Sequence, residues 1–363
     1  MNLDFHYYGT YSAAILAGYK HEEAKEIAYY AQFVDECSEA LLKEQKVSNW
    51  DPLCVTVNSE EESAAQFLNP LSYTREELIQ LGGLWSAFHF LPGGMNGPYN
   101  VGDLRGEEQS RMCLPNSLLV SKMMEQVKKD GSLPAIGMAM HVLADTWAHT
   151  YFVGMPAKYV NDIEGDVCEI TEQGARRKIN LWFRLGEDKL EENDFANMTG
   201  LQIKERGICY LGHARVGHLP DYSFFKYTYK PVWKNGEEII KDNPKDYMNA
   251  FCQMIRAMQY IRSKETIFKL EEYAKLGNVT ETEVNKILTT RKLNTQDEWK
   301  TFICDCLPNT EWQPECIEEF DKYKCFAEYE AAADKNSTPL NQFLSAARRH
   351  RILVEEEAKP YPL

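Results

Sequence analysis

Apolar residues recur at three- and four-residue intervals over most of this chain, the period of helices with one buried face. The pattern predicts a short helix over 11–18, closed by Gly18. A longer one follows over about 21–45, with a stripe of Ala24, Ile27, Ala28, Ala31, Val34, Leu41 and Leu42. Residues 46–73 read as loop with one strand-like run at 53–57. Thr74 and Glu77 have capping-box spacing ahead of a helix over about 75–81, which Gly82-Gly83 breaks. An irregular glycine- and proline-rich segment occupies 92–117. Helices follow over about 116–130 and 133–154, and from Asn243-Pro244 to about Gly277. Shorter ones fall at 281–290, 296–306 and 314–333, the first two boxed by Thr280/Glu283 and Thr295/Glu298, and a last one opens at Thr338-Pro339. The period changes to two where Phe225, Tyr227 and Tyr229 alternate with Lys226, Thr228 and Lys230 ahead of Asn235-Gly236, which predicts a β-hairpin over about 223–240. Residues 161–206 read as a peripheral helical insertion, amphipathic around 175–185. The expected architecture is mainly α: a multi-helix bundle with a small hairpin decoration. Its body spans 1–277, and an accessory helical tail spans 278–363.

Polar residues interrupt this pattern at informative places. Within LPAIGMAMHVLADTWAHTYFVG, residues 133–154, His141, Asp145 and His149 recur every fourth position and share one face of an otherwise apolar helix. Burying such a row is costly unless a partner pairs with it. A metal ion is one partner; a set of core histidines hydrogen-bonded to one aspartate is the alternative. His141 and His149 are about 12 Å apart along the axis, too far for one ion, whereas two ions about 3.5–4 Å apart could share Asp145. Asp35 falls inside an apolar stripe, and Asp4 and His6 point the same way if residues 3–8 are extended. His89 sits among aromatics, where a packed core histidine is the competing reading. GHARVGHLPD, residues 212–221, carries His213, His218 and Asp221, with a glycine before each histidine that suits close approach to an ion. Arg215 between them could face a phosphate or pair in solvent, and Arg105 and Arg111 are weaker anion contacts.

Composition narrows the function classes. The 363 residues are 44% hydrophobic and 26% charged, enough for a substantial core. A net charge of −15 argues against a long nucleic-acid tract held by counterion release, though not against a nucleotide or a nucleic-acid end. No basic segment precedes an apolar run at the N-terminus, and no apolar run is long enough to span a membrane. The ten cysteines therefore read as reduced thiols of a cytoplasmic protein. Cys304, Cys306, Cys316 and Cys325 lack a zinc-finger spacing. Neither a GxSxG elbow nor a phosphate-binding glycine loop occurs.

The segments Asp4-Phe5-His6-Tyr7, Gln32 to Asp35, Phe88-His89-Phe90, His141 to His149 and 212–221 resemble an uncharacterised bacterial family, a domain of unknown function, over roughly residues 1–260. More distantly the chain is similar to the all-helical zinc-dependent phospholipase C and single-strand nuclease superfamily. That resemblance implies a phospholipase C-like bundle and a site of two or three Zn²⁺ ions, with Mn²⁺ or Fe²⁺ as substitutes. His6, Asp35, His89, His141 and Asp145 match its ligands in motif order. Its secreted members bind zinc through the amine of an N-terminal Trp; this chain starts Met-Asn-Leu-Asp, so Asp4 or His6 is expected in that role. The implied activity is hydrolysis of a phosphate ester by a metal-activated water, with Asp145, Asp35 and Arg215 as the catalytic candidates. The expected substrate is a phosphate-containing small molecule or a nucleic-acid end. The competing function is a helical interaction module with structural ions, such as a component of a defence or toxin system. An HD-type phosphohydrolase needs an adjacent His-Asp pair, and none occurs.

Overall fold

The computed structural model describes residues 1–58, 75–94, 110–179, 211–307 and 317–358. Arg105, Thr74, Cys316 and the part of the expected insertion from 180 on lie outside the described residues. The protein is mainly helical, with a small four-stranded antiparallel sheet.

The chain opens in a π-helical turn, Asp4–Gly9, that runs into α1 (Thr10–Leu16). The extended segment expected there is replaced because Phe5, Tyr7 and Tyr8 all reach the core from the wide turn. The stripe read over 21–45 is two helices, α2 (His21–Phe33) and α3 (Glu39–Glu44). Ser38 starts the second by accepting a bond from the Leu41 N–H at 3.2 Å. Val34 and Leu42 are buried on either side of the break, so the apolar pattern runs through it. The strand-like run is instead a tight turn, Pro52–Cys54, begun by the Asp51 carboxylate accepting from Leu53 N–H.

Gly82-Gly83 does not end a helix: α4 (Arg75–Phe88) continues through it. A Cβ on Gly82 would stand 3.2 Å from the Met155 Cβ, and one on Gly83 3.0 Å from Glu355 Oε1, so the pair admits close neighbours. After α5 (Leu118–Asp130), Gly131 takes φ +73° and the chain enters α6 (Leu133–Ala148). Every residue of α6 from Pro134 to Ala148 is buried, the signature of a central helix. It packs against α2, α4 and α5, and against α8 (Asn243–Arg262) and α12 (Pro339–Ala358). The α2 crossing is the tightest: a Cβ on Gly137 would lie 2.3 Å from the Ile27 carbonyl oxygen and 2.9 Å from the Ala31 nitrogen.

Past a short α7 (Lys158–Asn161), the stretch expected to be helical forms β1 (Val167–Ile170) and β2 (Arg176–Ile179). The β1 side chains alternate in burial, and Gly174 at φ +77° serves the turn between them. The expected hairpin is present as β3 (Lys226–Tyr229) and β4 (Ile239–Asp242), with Asn235 and Gly236 at positive φ. The sheet order is β2-β1-β3-β4.

Helix α8 stops at Arg262, short of Gly277. The chain then forms α9 (Asn278–Thr289), α10 (Gln296–Cys306) and α11 (Lys324–Ala331) before α12. Gly277, not Thr280, precedes α9. The Thr295 hydroxyl donates to Asp4 Oδ2 at 2.6 Å, while Glu298 pairs with Lys292, so the box read at Thr295/Glu298 does not form. One hydrophobic core joins Tyr8, Met138 and Met254 to Trp299 and Phe343, with residues on both sides of the 277–280 boundary contributing. A second, smaller core lies under the sheet and includes Phe90, Phe152 and Trp233. His350, read in a charged tail, is buried and donates Nε2–H to the Ala87 carbonyl at 2.7 Å. No described helix is long and apolar enough to cross a membrane.

Gly137→Ala places a methyl group where backbone already stands. The variant is expected to lose about 1–3 kcal/mol of stability in chemical denaturation, whereas Gly131→Asn, at an uncrowded helix end, is expected to lose well under 1 kcal/mol.

Candidate metal centre

Four histidines converge on the end of α6, each held by a backbone carbonyl. His141 Nδ1–H donates to the Ala31 carbonyl at 2.8 Å, a contact that needs the close crossing at Gly137. His89, just past α4, donates Nε2–H to Thr56 O at 3.0 Å. Thr56 is fixed in turn, its hydroxyl donating to Val34 O at 2.6 Å. His149, at the C-terminal cap of α6, donates Nδ1–H to His89 O at 2.7 Å. His213 donates Nδ1–H to Gly217 O at 2.7 Å. A carbonyl only accepts, so the ring nitrogen facing it carries the proton. In a neutral imidazole the other nitrogen is then an acceptor.

Those second nitrogens point at carboxylates and at one another. His141 Nε2 lies 3.2 Å from Asp145 Oδ2, 3.7 Å from Asp35 Oδ1 and 3.4 Å from His89 Nδ1. His89 Nδ1 lies 3.4 Å from Asp145 Oδ2 and 3.8 Å from Asp35 Oδ1. His149 Nε2 and His213 Nε2 face the two oxygens of Asp221 at 3.2 and 3.5 Å. His6, stacked on His141 with centroids 3.8 Å apart, places Nε2 3.3 Å from Asp145 Oδ1. Neither of its buried ring nitrogens makes a hydrogen bond. Three groups result: His6, His141 and Asp145; Asp35, His89 and His141; and His149, His213 and Asp221. Within each, the ligand atoms lie within 4.8 Å of one another. Ligands about 2.0–2.1 Å from a tetrahedral zinc stand roughly 3.3–3.4 Å apart. Several of these separations are of that size, and acceptors facing acceptors need a cation or a proton between them.

Charge follows the same plan. Burial raises the Asp145 carboxyl, but His149, the Met1 amine, His141 and His6 outweigh it and hold the group well below the usual carboxylate range. Asp221 is likewise held well down, burial being overcome chiefly by His213 and the amine. Burial pushes His6 down to about 3 and His213 to about 4, leaving both neutral near pH 7. His89 differs: burial lowers it, but Asp145 and Asp35 raise it overall. The α-amino group of Met1 stands 2.9 Å from Asp145 Oδ1 and 3.4 Å from Asp221 Oδ1, a cation where the first and third groups meet.

Of the residues predicted from sequence, His6, Asp35, His89, His141, Asp145, His149, His213 and Asp221 come together here. His218 borders them, its Nδ1 3.0 Å from Asp221 Oδ2. Asp4 is not among them. In a π-helical turn, positions two apart do not share a face, and the Asp4 carboxylate instead accepts from the Thr295 N–H and hydroxyl. The Met1 amine stands in this cluster instead, as a cation beside Asp145 and Asp221, and nothing in the residue pattern marked it. Arg215 pairs with Asp162 at 2.9 Å rather than standing free for a phosphate. The glycines before the histidines serve backbone needs. A Cβ on Gly212 would enter the Phe90 ring, 2.2 Å from its Cζ, and Gly217 takes φ +60°, ψ −149°, a conformation essentially reserved to glycine. Asn243 and Tyr247 hold this loop by donating to Leu219, Tyr222 and Pro220 carbonyls.

A family described as of unknown function, DUF6765, matches residues 1–358. The chain belongs to that family. The DUF6765 match runs unbroken from the π-helical turn through α12 and so includes every residue of the three groups. No curated protein matches the chain, and no solved structure does.

Ligands that bind the folded form stabilise it, by about 2.7 kcal/mol at a free concentration of 100 Kd. Zn²⁺ or Mn²⁺ added to metal-stripped protein is therefore expected to raise Tm by several degrees. Asp145→Ala and Asp221→Ala, which sit in different groups, are each expected to remove part of that rise. An unchanged wild-type Tm would count against the site.

Proposed function

We propose that this protein is a metal-dependent hydrolase of phosphate esters, built on a phospholipase C-like helical scaffold. The observation that carries the reading is the meeting of imidazole lone pairs with ionised carboxylates, four of the imidazoles oriented by backbone carbonyls. His6, His141 and Asp145 would hold one ion, Asp35, His89 and His141 a second, and His149, His213 and Asp221 a third. Zn²⁺ suits this nitrogen–oxygen set, with Mn²⁺ or Fe²⁺ as substitutes. Divalent ions bound there supply charge neutralisation for a phosphoryl group and an ionised water at neutral pH.

The chain's own residues perform the remaining tasks. His6, His141 and Asp145 are fully enclosed, which excludes bulk water from one side. The Asp35 side chain is 31% exposed and that of His218 35%, so the cluster meets solvent at these two, and a phosphate ester would enter there. Gln32 steadies Asp35 through Nε2, 3.4 Å from Oδ2. Arg215, held by Asp162, has no part in this reading. The net charge of −15 favours a nucleotide, a nucleic-acid end or a phospholipid headgroup over a long polyanion.

The complete enclosure of the first group supports a second reading, in which the ions are structural and the protein is a helical interaction module. The two diverge in one assay. Metal-loaded protein is expected to hydrolyse at least one member of a panel of bis(p-nitrophenyl) phosphate, short oligonucleotides and phosphatidylcholine. Chelator abolishes the activity, and Asp35→Ala lowers kcat at least 100-fold. Absence of turnover across the panel, with metal-dependent Tm retained, would leave the interaction module.

A further inference from the structure

Four histidines of the cluster each have a backbone carbonyl that fixes the ring; His6 has none. Neither nitrogen of its buried ring makes a hydrogen bond, and the ring rests on His141 with centroids 3.8 Å apart. Its approach to Asp145, with Nε2 3.3 Å from Oδ1, is therefore set by the backbone of the π-helical turn that carries it. The residues that place this turn lie outside the three metal groups.

Asp4, at the start of the turn, uses both carboxylate oxygens to place it. Oδ1 accepts from the Phe5 N–H at 2.9 Å, and Oδ2 accepts from the Thr295 N–H at 3.1 Å and from the Thr295 hydroxyl at 2.6 Å. Thr295 stands directly before α10, where a threonine side chain ordinarily accepts from the helix's own first N–H groups. Here it makes no such bond; its buried hydroxyl donates to Asp4 instead. The start of α10 gives up its own cap to clasp the turn. Trp299, one helical turn further along α10, meets Phe5 edge-on with centroids 6.2 Å apart, and Tyr247 of α8 meets the same ring at 4.9 Å. A Cβ on Gly9, at the other end of the turn, would lie 3.5 Å from Trp299 Cζ2. The residue before His6 is thus locked between α8 and α10, and the residue after it, Tyr7, donates its hydroxyl to Glu318 O at 3.1 Å.

We propose that Asp4 and Thr295 are positioning residues for the ion of the His6–His141–Asp145 group. The inference rests on the metal reading of that group. A ligand ring without a hydrogen bond of its own is placed only as well as its backbone is, and functional geometry tolerates errors of only about 0.5 Å. The groups that orient metal ligands are worth roughly 10–100-fold in affinity. For the other four histidines a carbonyl supplies that orientation at the ring; for His6 the clasp supplies it through the backbone. The region beyond residue 277 thereby takes part in the metal centre through α10.

Competition with a chromogenic chelator, which reads the affinity of each Zn²⁺ ion of the full-length protein, tests the clasp in wild type, His6→Ala, Thr295→Val, Thr295→Ser and the double variant His6→Ala/Thr295→Val. His6→Ala and Thr295→Val are each expected to weaken one ion about tenfold or more, and Thr295→Ser, which keeps the hydroxyl, to stay within about threefold of wild type. Because Thr295 acts through His6, the double variant is expected to bind no more weakly than His6→Ala, a non-additivity that a merely structural role does not produce. Wild-type affinities retained in Thr295→Val, or a double variant that shows both losses in full, would overturn the proposal while leaving the metal reading intact. A wild type that binds no Zn²⁺ would remove the metal reading and the proposal with it. Asp4→Asn, which breaks the clasp from the other side, answers the same question where Thr295→Val does not fold.

Discussion

A backbone carbonyl accepts hydrogen bonds and never donates, and the chemistry of this protein depends on that asymmetry. His89, His141, His149 and His213 each face one, so each ring's proton is fixed on the far side from the cluster. The inward nitrogens are left as bases and point at Asp35, Asp145 and Asp221, two of which are held ionised in a buried setting. Direct hydrogen bonds would be near 2.9 Å. The separations here run from 3.2 to 3.8 Å, longer than that.

The fold serves that arrangement. Gly137 lets α2 approach α6 closely enough for His141 to reach the Ala31 carbonyl, and the end of α2 immediately beyond presents Asp35 opposite the same ring. His89 is tied to α6 through His149, and Thr56 links it back to the turn after α2. The sheet and its small core hold the loop that carries His213 and Asp221. Lys241 on β4 donates to the Trp147 carbonyl at 2.9 Å and so anchors the sheet to the end of α6.

What was legible in the sequence was local. His141, Asp145 and His149 stood out because a helix apolar on every side has no solvent face on which to hide polar residues. Asp35 stood out because it fell inside an apolar stripe, although it occupies a turn and not a helix interior. The pairing of these residues was not legible. His149 faces Asp145 one turn back but also joins a loop 72 residues away, and that closure depends on Phe90, Gly212 and the sheet. The π-helical turn that turns Asp4 toward Thr295 has no sequence period of its own. β1 and β2 escaped notice because four-residue strands are too short to outweigh the helical pattern around them.

Elemental mass spectrometry of protein reconstituted with Zn²⁺ and freed of excess metal tests the central claim most directly, on wild type and His141→Ala. Because His141 belongs to two of the three groups, the account predicts two or more ions per wild-type chain and the loss of at least one, leaving the His149–His213–Asp221 ion, in the variant. Wild-type protein that retains no metal after reconstitution with either Zn²⁺ or Mn²⁺ would contradict it, and the inward nitrogens would then be held by protons alone.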